Sequence, residues 1–329
     1  MSKNFVISPF AIHQAITLLY MGKDKHRDPE LGKALQLVGR RTDKILSFFE
    51  RARTKAIQQD FVMANRIYLS PYYNESEHMR SISGGLGVEV ENIPFSEGST
   101  SGDEIEKWLN QTIDKGTRSH LFVKDNLTEV TQLVAVQGNS LSCTFKHRIK
   151  SQTTMSFSIP MHNRRPYVYK VQMMYTVAPL EFFNEDEVRG VMIPFSKTDI
   201  GMLVLIPRRL GTQRILYNLD KYLQVPLRKA EKTHLFLPIF SVQETVDFNL
   251  ALHSLGINHV FINVTHHDRN ENAAYFKQYN NLEVKPNRVL MQSEVGADND
   301  QRVVNVNRPF VFVIKDENTI YMVGRMDSV

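Results

Sequence analysis

Cysteine is almost missing from this sequence: Cys143 is the only one in 329 residues, so no disulfide can close within the chain. A lone thiol among small and apolar residues reads as a buried spacer, not as a nucleophile or redox centre. No run of eighteen apolar residues occurs, which excludes a membrane-spanning helix. Neither sign of charge dominates. Forty basic residues against 35 acidic ones leave +5, too mild a balance for a nucleic-acid-binding surface. Catalytic signatures are lacking as well: there is no G-x-S-x-G or H-E-x-x-H pattern, and Cys143 and His147 stand four apart without a supporting motif. His266, His267 and Asp268 form no metal site on this reading, because adjacent histidines seldom converge on one ion and no further ligand is evident. These absences predict a protein that is not an enzyme and needs no metal or cofactor. The opening Met1-Ser2-Lys3-Asn4-Phe5 lacks the charged leader and apolar stretch of a secretion signal, so none is expected in the chain as written.

What is present is an apolar fraction of 42%, enough for a sizeable core, with no internal repeat, low-complexity tract or linker. One domain spanning residues 1–329 is expected. Ser8-Pro9 opens an amphipathic helix, with Ser8 accepting from first-turn amides, Ile12, Ile16, Leu19 and Tyr20 on one face, and Gly22 as a left-handed cap. A second helix is predicted from Gly102 to about Lys115, with Ile105, Trp108, Leu109 and Ile113 at helical spacing across a sheet. Later the pattern turns to strands. Leu133-Val134-Ala135-Val136 is too apolar on both faces to be half exposed. Val188 to Phe195 and Met202 to Ile206 read as a hairpin, Leu235 to Phe240 as a further strand, and Leu250, Leu252 and Leu255 as a short helix ahead of Gly256. Phe310 to Ile314 and Ile320 to Val323 read as a closing hairpin around Asp316-Glu317-Asn318. Helices early and strands late predict the α+β class.

Two distant stretches carry a resemblance. Asn4-Phe5-Val6-Ile7-Ser8-Pro9-Phe10-Ala11-Ile12 resembles the opening of the second helix in the serpins, and Asn307-Arg308-Pro309-Phe310 through Met322-Val323-Gly324-Arg325 is similar to their closing hairpin. Between them Ala64-Asn65-Arg66-Ile67-Tyr68, Met173-Met174-Tyr175, Ile193-Pro194-Phe195, Met202 to Pro207 and Leu237-Pro238-Ile239-Phe240 look like family landmarks in family order. The resemblance implies a serpin fold of three β-sheets with packed helices, a helical N-terminal half and a strand-rich C-terminal half. It also implies an exposed loop that baits a serine protease and, once cleaved, inserts into the central sheet. By the same resemblance the family's first helix and signal peptide are missing before Asn4.

Several positions depart from that pattern. Val289 to Gly296 resembles the entrance to the bait loop, with Glu294 and Gly296 as its glutamate and glycine, yet only eleven residues, Ala297 to Asn307, then precede Arg308. The family spacing is roughly a dozen residues longer, on the order of 40 Å of extended chain. The remnant Ala297, Asp298, Asn299, Asp300, Gln301 is polar, and a buried unpaired Asn299 or Gln301 amide would cost about 1–3 kcal/mol. A truncated polar surface turn over 297–307 is therefore expected. In the region where the sheet opens, Ser8 is retained. Gln137 stands for the family's asparagine, Phe145 for its tryptophan, and Pro286 for the histidine that partners the asparagine.

The leading expectation is a non-inhibitory serpin, a secreted, extracellular and monomeric binding or carrier protein for an unidentified ligand. A serine protease inhibitor given as an incomplete sequence is the alternative. A third reading, a module for heparin-like polysaccharide, rests on Arg40, Arg41, Lys44, Arg51, Arg53 and Lys55 around Ile45 to Phe49, although a solvated basic face explains them more simply. Asn74, Asn110, Asn126 and Asn263 lie in glycosylation sequons, barely more than chance would give. No nucleic acid or membrane partner is expected.

Overall fold

The computed structural model describes residues 3–22, 28–73, 76–96, 98–113, 127–161, 164–209, 211–229, 232–261, 273–286 and 302–329. Its helices are α1 (Pro9–Gly22), α2 (Pro29–Ala34), α3 (Thr42–Gln58), α4 (Glu77–Leu86), α5 (Gly98–Ile113), α6 (Thr212–Tyr217), α7 (Leu219–Leu223) and α8 (Asn249–Ser254). A 3-10 turn comes next at His259–Phe261. The early strands are β1 (Phe5–Ile7), β2 (Val62–Leu69), β3 (Glu89–Asn92), β4 (Leu133–Ser142), β5 (Ser151–Met161) and β6 (Arg164–Ala178). Then come β7 (Glu181–Asn184), β8 (Val188–Pro194), β9 (Gly201–Pro207), β10 (Arg228–Lys229), β11 (Thr233–Pro238) and β12 (Phe240–Asp247). The last are β13 (Ala274–Val284), β14 (Arg302–Asn305), β15 (Phe310–Lys315) and β16 (Ile320–Met326).

Three sheets result. Seven strands run in the order β1-β16-β15-β9-β8-β7-β10, five in the order β12-β13-β4-β2-β3, and four in the order β14-β11-β6-β5. The α+β expectation holds, and the predicted hairpins β8-β9 and β15-β16 are antiparallel as read. Leu133 to Val136 opens β4 and is buried on both faces, because the main core lies on one side of the five-stranded sheet and α5 on the other. α5 lays Ile105, Leu109 and Ile113 over β2 and β4, as its spacing predicts. Gly138 makes that approach possible, since a Cβ there would sit 1.8 Å from Ile113 Cδ1.

Other readings change. α1 does open at Ser8, whose Oγ accepts from the Ala11 amide at 3.3 Å. However, it is buried nearly all round and not on a single stripe, because both large sheets and α4 enclose it. Gly22 is not a left-handed cap. It lies within α1, where a Cβ would come within 2.9 Å of Met79 Cγ, so the glycine serves the α1–α4 approach. The strand read from Leu235 to Phe240 is divided: β11 ends at Pro238 in the four-stranded sheet and β12 begins at Phe240 in the five-stranded one. Of the three leucines expected on the short helix, Leu252 of α8 is buried, whereas Leu250 of α8 and Leu255 just after it are exposed. Among the described residues no helix is long and apolar enough to cross a membrane.

Candidate functional site

β4 and β13 form the parallel pair at the centre of the five-stranded sheet, in register over ten residues from Ala274↔Leu133 to Glu283↔Ser142. Alternation along each strand sends one set of side chains into the main core. On β13 that set includes Phe276, Leu282 and Val284; on β4 it includes Leu133, Ala135 and Leu141. Midway along the seam the apolar set is interrupted by four amides, Gln137 and Asn139 on β4 and Gln278 and Asn280 on β13, all with 0% exposure. Gln137 faces Gln278, and Asn139 faces Asn280.

Three of these amides are linked. Asn139 Nδ2 donates to Asn280 Oδ1 at 3.1 Å, and Asn280 Nδ2 donates to Gln278 Oε1 at 2.9 Å. Gln278 then clasps the start of α1: its Oε1 accepts from the Ser8 amide at 2.7 Å, and its Nε2 donates to the Ser8 carbonyl at 3.0 Å. Ser8 Oγ in turn donates to the Tyr321 carbonyl on β16 at 2.7 Å. A continuous polar line therefore runs from the seam to the seven-stranded sheet. Gln137 is outside it. Among the described residues neither its Oε1 nor its Nε2 has a hydrogen-bond partner, an orphaned buried amide that costs about 1–3 kcal/mol.

Of the residues expected where the sheet opens, Gln137 lies in the seam and Ser8 reaches it through Gln278, but Pro286 does not. It lies two residues past the end of β13, and the residue opposite Gln137 is Gln278. The misplacement came from anchoring the family pattern at Glu294 and Gly296, which set the end of the strand too late. Phe145 sits off the end of β4, bridged to Phe195 with ring centroids 5.9 Å apart, beside a small apolar cavity that His147, Met174 and Leu235 also line. Glu294, Gly296, Ala297, Asp298, Asn299, Asp300 and Gln301 lie outside the described residues. Their boundaries do not: β13 ends at Val284 and β14 begins at Arg302, pairing in parallel with β11. The connection between them is thus the 17 residues 285–301. Residues 302–305, expected to belong to the surface turn, are strand.

The basic cluster is partly spent. Arg41 pairs with Asp43 at 2.9 Å, and Lys55 reaches Asp199 at 2.8 Å and Asp316 at 3.1 Å. The Lys55 pair is structural, because Asp316 also accepts from Tyr321 Oη at 3.1 Å and so joins α3 to the β15-β16 turn. Arg53 is half-buried against Gly87, which leaves Arg40, Lys44 and Arg51 exposed. Cys143 is fully buried, and burial pushes its thiol far up, away from the reactive thiolate. Asn110 is half-buried on α5; Asn74, Asn126 and Asn263 lie outside the described residues, as do His266, His267 and Asp268. Asp28, Glu30 and His259 are a mixed cluster in which Asp28 Oδ1 caps α2 and Glu30 Oε2 accepts from the Asn258 and His259 amides.

Three sheets in these strand orders, with β4 and β13 paired in parallel and β14 joining the four-stranded sheet, define the architecture of the protein. A family model described as Serpin (serine protease inhibitor) matches residues 1–329, and the chain belongs to that family, which is defined by protease inhibition and not by an enzymatic activity. Serpin B10 of Otolemur garnettii is 24% identical over 381 residues, covering 99% of this chain and 94% of the relative. Serine protease inhibitor 42Dd of Drosophila melanogaster is 22% identical over 353 residues, covering 99% and 92%. Among solved structures, Serpin48 of the insect Tenebrio molitor has a TM-score of 0.83 at 19% identity, covering 100% of this chain and 93% of that one. Native protease nexin-1, solved with heparin, has a TM-score of 0.79 at 18% identity, covering 99% and 93%.

Proposed function

We propose that this serpin is a secreted, monomeric binding or carrier protein that does not inhibit proteases by loop insertion. The segment leaving β13 carries this reading. The first residues available to enter the seam after Lys285-Pro286-Asn287 are Arg288-Val289-Leu290-Met291-Gln292-Ser293-Glu294-Val295, and all but Ser293 are larger than serine. The family mechanism asks for a hinge of small residues. Driving larger ones into a close-packed sheet costs about 1–3 kcal/mol where they overpack. Incubation with trypsin-like and chymotrypsin-like proteases is therefore expected to give cleaved protein and no SDS-stable complex; a covalent band overturns the reading.

A second reading, an active inhibitor, is supported by two other features. Seventeen residues are enough to lie along the ten-residue seam, so the connection is longer than a count from Ala297 suggests. The orphaned Gln137 amide also weakens the closed sheet at the place where it would part. Polysaccharide binding at α3 would rest on Lys44 and Arg51 of the helix and Arg40 ahead of it.

A further inference from the structure

At one end of the seven-stranded sheet, near the start of β14, arginines from β8, from just after β9 and from β14 gather beside the turn Glu185-Asp186-Glu187, with which they form no ion pair among the described residues. Arg189 on β8 donates from Nε to Asn184 Oδ1 at 3.0 Å and from Nη1 to the Val303 carbonyl at 3.2 Å. Arg208, just after β9, donates from Nη2 to the same Asn184 oxygen at 3.3 Å. Two guanidinium groups thus converge on one neutral acceptor. Arg302 is held over the Phe182 ring, its Cζ 3.6 Å from the centroid. Arg189 is half-buried, and burial followed by repulsion from Arg208, Arg302 and Arg308 lowers its pKa. Among the described residues, none of the four lies within 4 Å of a carboxylate.

We propose that Arg189, Arg208 and Arg302 form an anion site for a phosphate or sulfate group, free or carried on a larger molecule. Like charges packed together destabilise the fold unless a counterion joins them, and guanidinium donors match oxyanions well. The geometry favours a tetrahedral group over a carboxylate. Arg189 already uses Nε on Asn184 and one Nη1 hydrogen on Val303, which removes the Nε-edge fork that a planar carboxylate could take. Its remaining Nη2 donors and those of Arg208 belong to separate groups, and a tetrahedral oxyanion accepts from several directions at once. Asn184 marks the point of convergence. The site lies apart from α3, where the sequence pattern had placed polyanion binding.

The test is calorimetric titration and thermal unfolding of the full chain with inorganic phosphate, inorganic sulfate and a sulfated disaccharide. Binding of at least one is expected, with a raised unfolding midpoint; free ions alone or the disaccharide alone would each support the site and identify the source. R189Q/R208Q should weaken binding by ~10-fold or more, while K44Q/R51Q on α3 should leave it unchanged. Should the arginine double variant fail to fold, Asn184→Asp serves instead. A carboxylate at the convergence point should raise the midpoint of the unliganded protein and remove the response to anion. The proposal is overturned if no anion binds the wild type, if both R189Q/R208Q and Asn184→Asp bind as the wild type does, or if K44Q/R51Q abolishes binding.

Discussion

The seam of the five-stranded sheet and the closing hairpin β15-β16 are buried alike but built oppositely. Phe310, Val311, Phe312, Val313 and Ile314 are all at 0% exposure and pack in the apolar core on both faces of the strand, and Gly324 lets Phe312 approach the neighbouring strand, where a Cβ would be 2.2 Å from its ring. At the seam, four amides occupy the same depth. Close-packed apolar contacts are non-directional and hold over a range of small displacements. An amide line is either complete or broken. The hairpin is therefore a fixed wall, and the seam a joint whose strength depends on a few hydrogen bonds.

That contrast can be broken from either side. The largest effect is expected at the wall: Phe312→Ala should cost about 3–5 kcal/mol, read from chemical denaturation, because the space beside Gly324 and Phe240 cannot close. At the seam, two similar substitutions should act in opposite directions. Gln278→Leu strands the Ser8 amide and Asn280 Nδ2, leaves the Ser8 carbonyl only the long bond from the Ile12 amide, and should destabilise by about 1–3 kcal/mol, whereas Gln137→Leu removes an amide without a partner among the described residues and should stabilise by about 1 kcal/mol. Equal signs for the two would dissolve the distinction between linked and orphaned amides.

The smallest effect is on pH. Burial alone would raise the Asp316 carboxyl, but the Asn318 amide, the Lys55 ammonium and the Thr319 amide together hold it below its ordinary value. A depressed folded pKa contributes stability above the unfolded value of about 3.9, and that contribution is lost as pH falls through the folded pKa. Acid unfolding of Asp316→Asn should accordingly be less steep below about pH 4 than that of the wild type. An unchanged acid limb would show that the Lys55–Asp316–Tyr321 contact adds nothing to the wall.

The wall was legible in the sequence and the joint only half so. Phe310 to Ile314 is a continuous apolar run beside turn residues, and α5 shows its face at helical spacing, so hydrophobic pattern alone located both. β13 reads Ala-Tyr-Phe-Lys-Gln-Tyr-Asn-Asn-Leu-Glu-Val, where lysine, glutamine and two asparagines hide the strand. A signal was there: Phe276, Leu282 and Val284 share a parity with Gln278 and Asn280, which places those amides in the core. Family landmarks pointed past it to Pro286, because Glu294 and Gly296 resembled the loop entrance more closely than Leu282-Glu283-Val284 did. The same shift shortened the loop to eleven residues in the sequence reading and hid the fact that 17 residues leave the strand. Helix α1 misled differently, since an all-round apolar helix contains an amphipathic stripe and cannot be told from one until its neighbours are placed.

The central claim is that the joint stays closed, and limited proteolysis within 285–301 with subsequent thermal unfolding tests it most directly. If the sheet does not accept the cleaved segment, the unfolding midpoint of cut and uncut protein will agree to within a few degrees. A rise of tens of degrees on cleavage would mean that the segment has entered between β4 and β13, and would contradict the account.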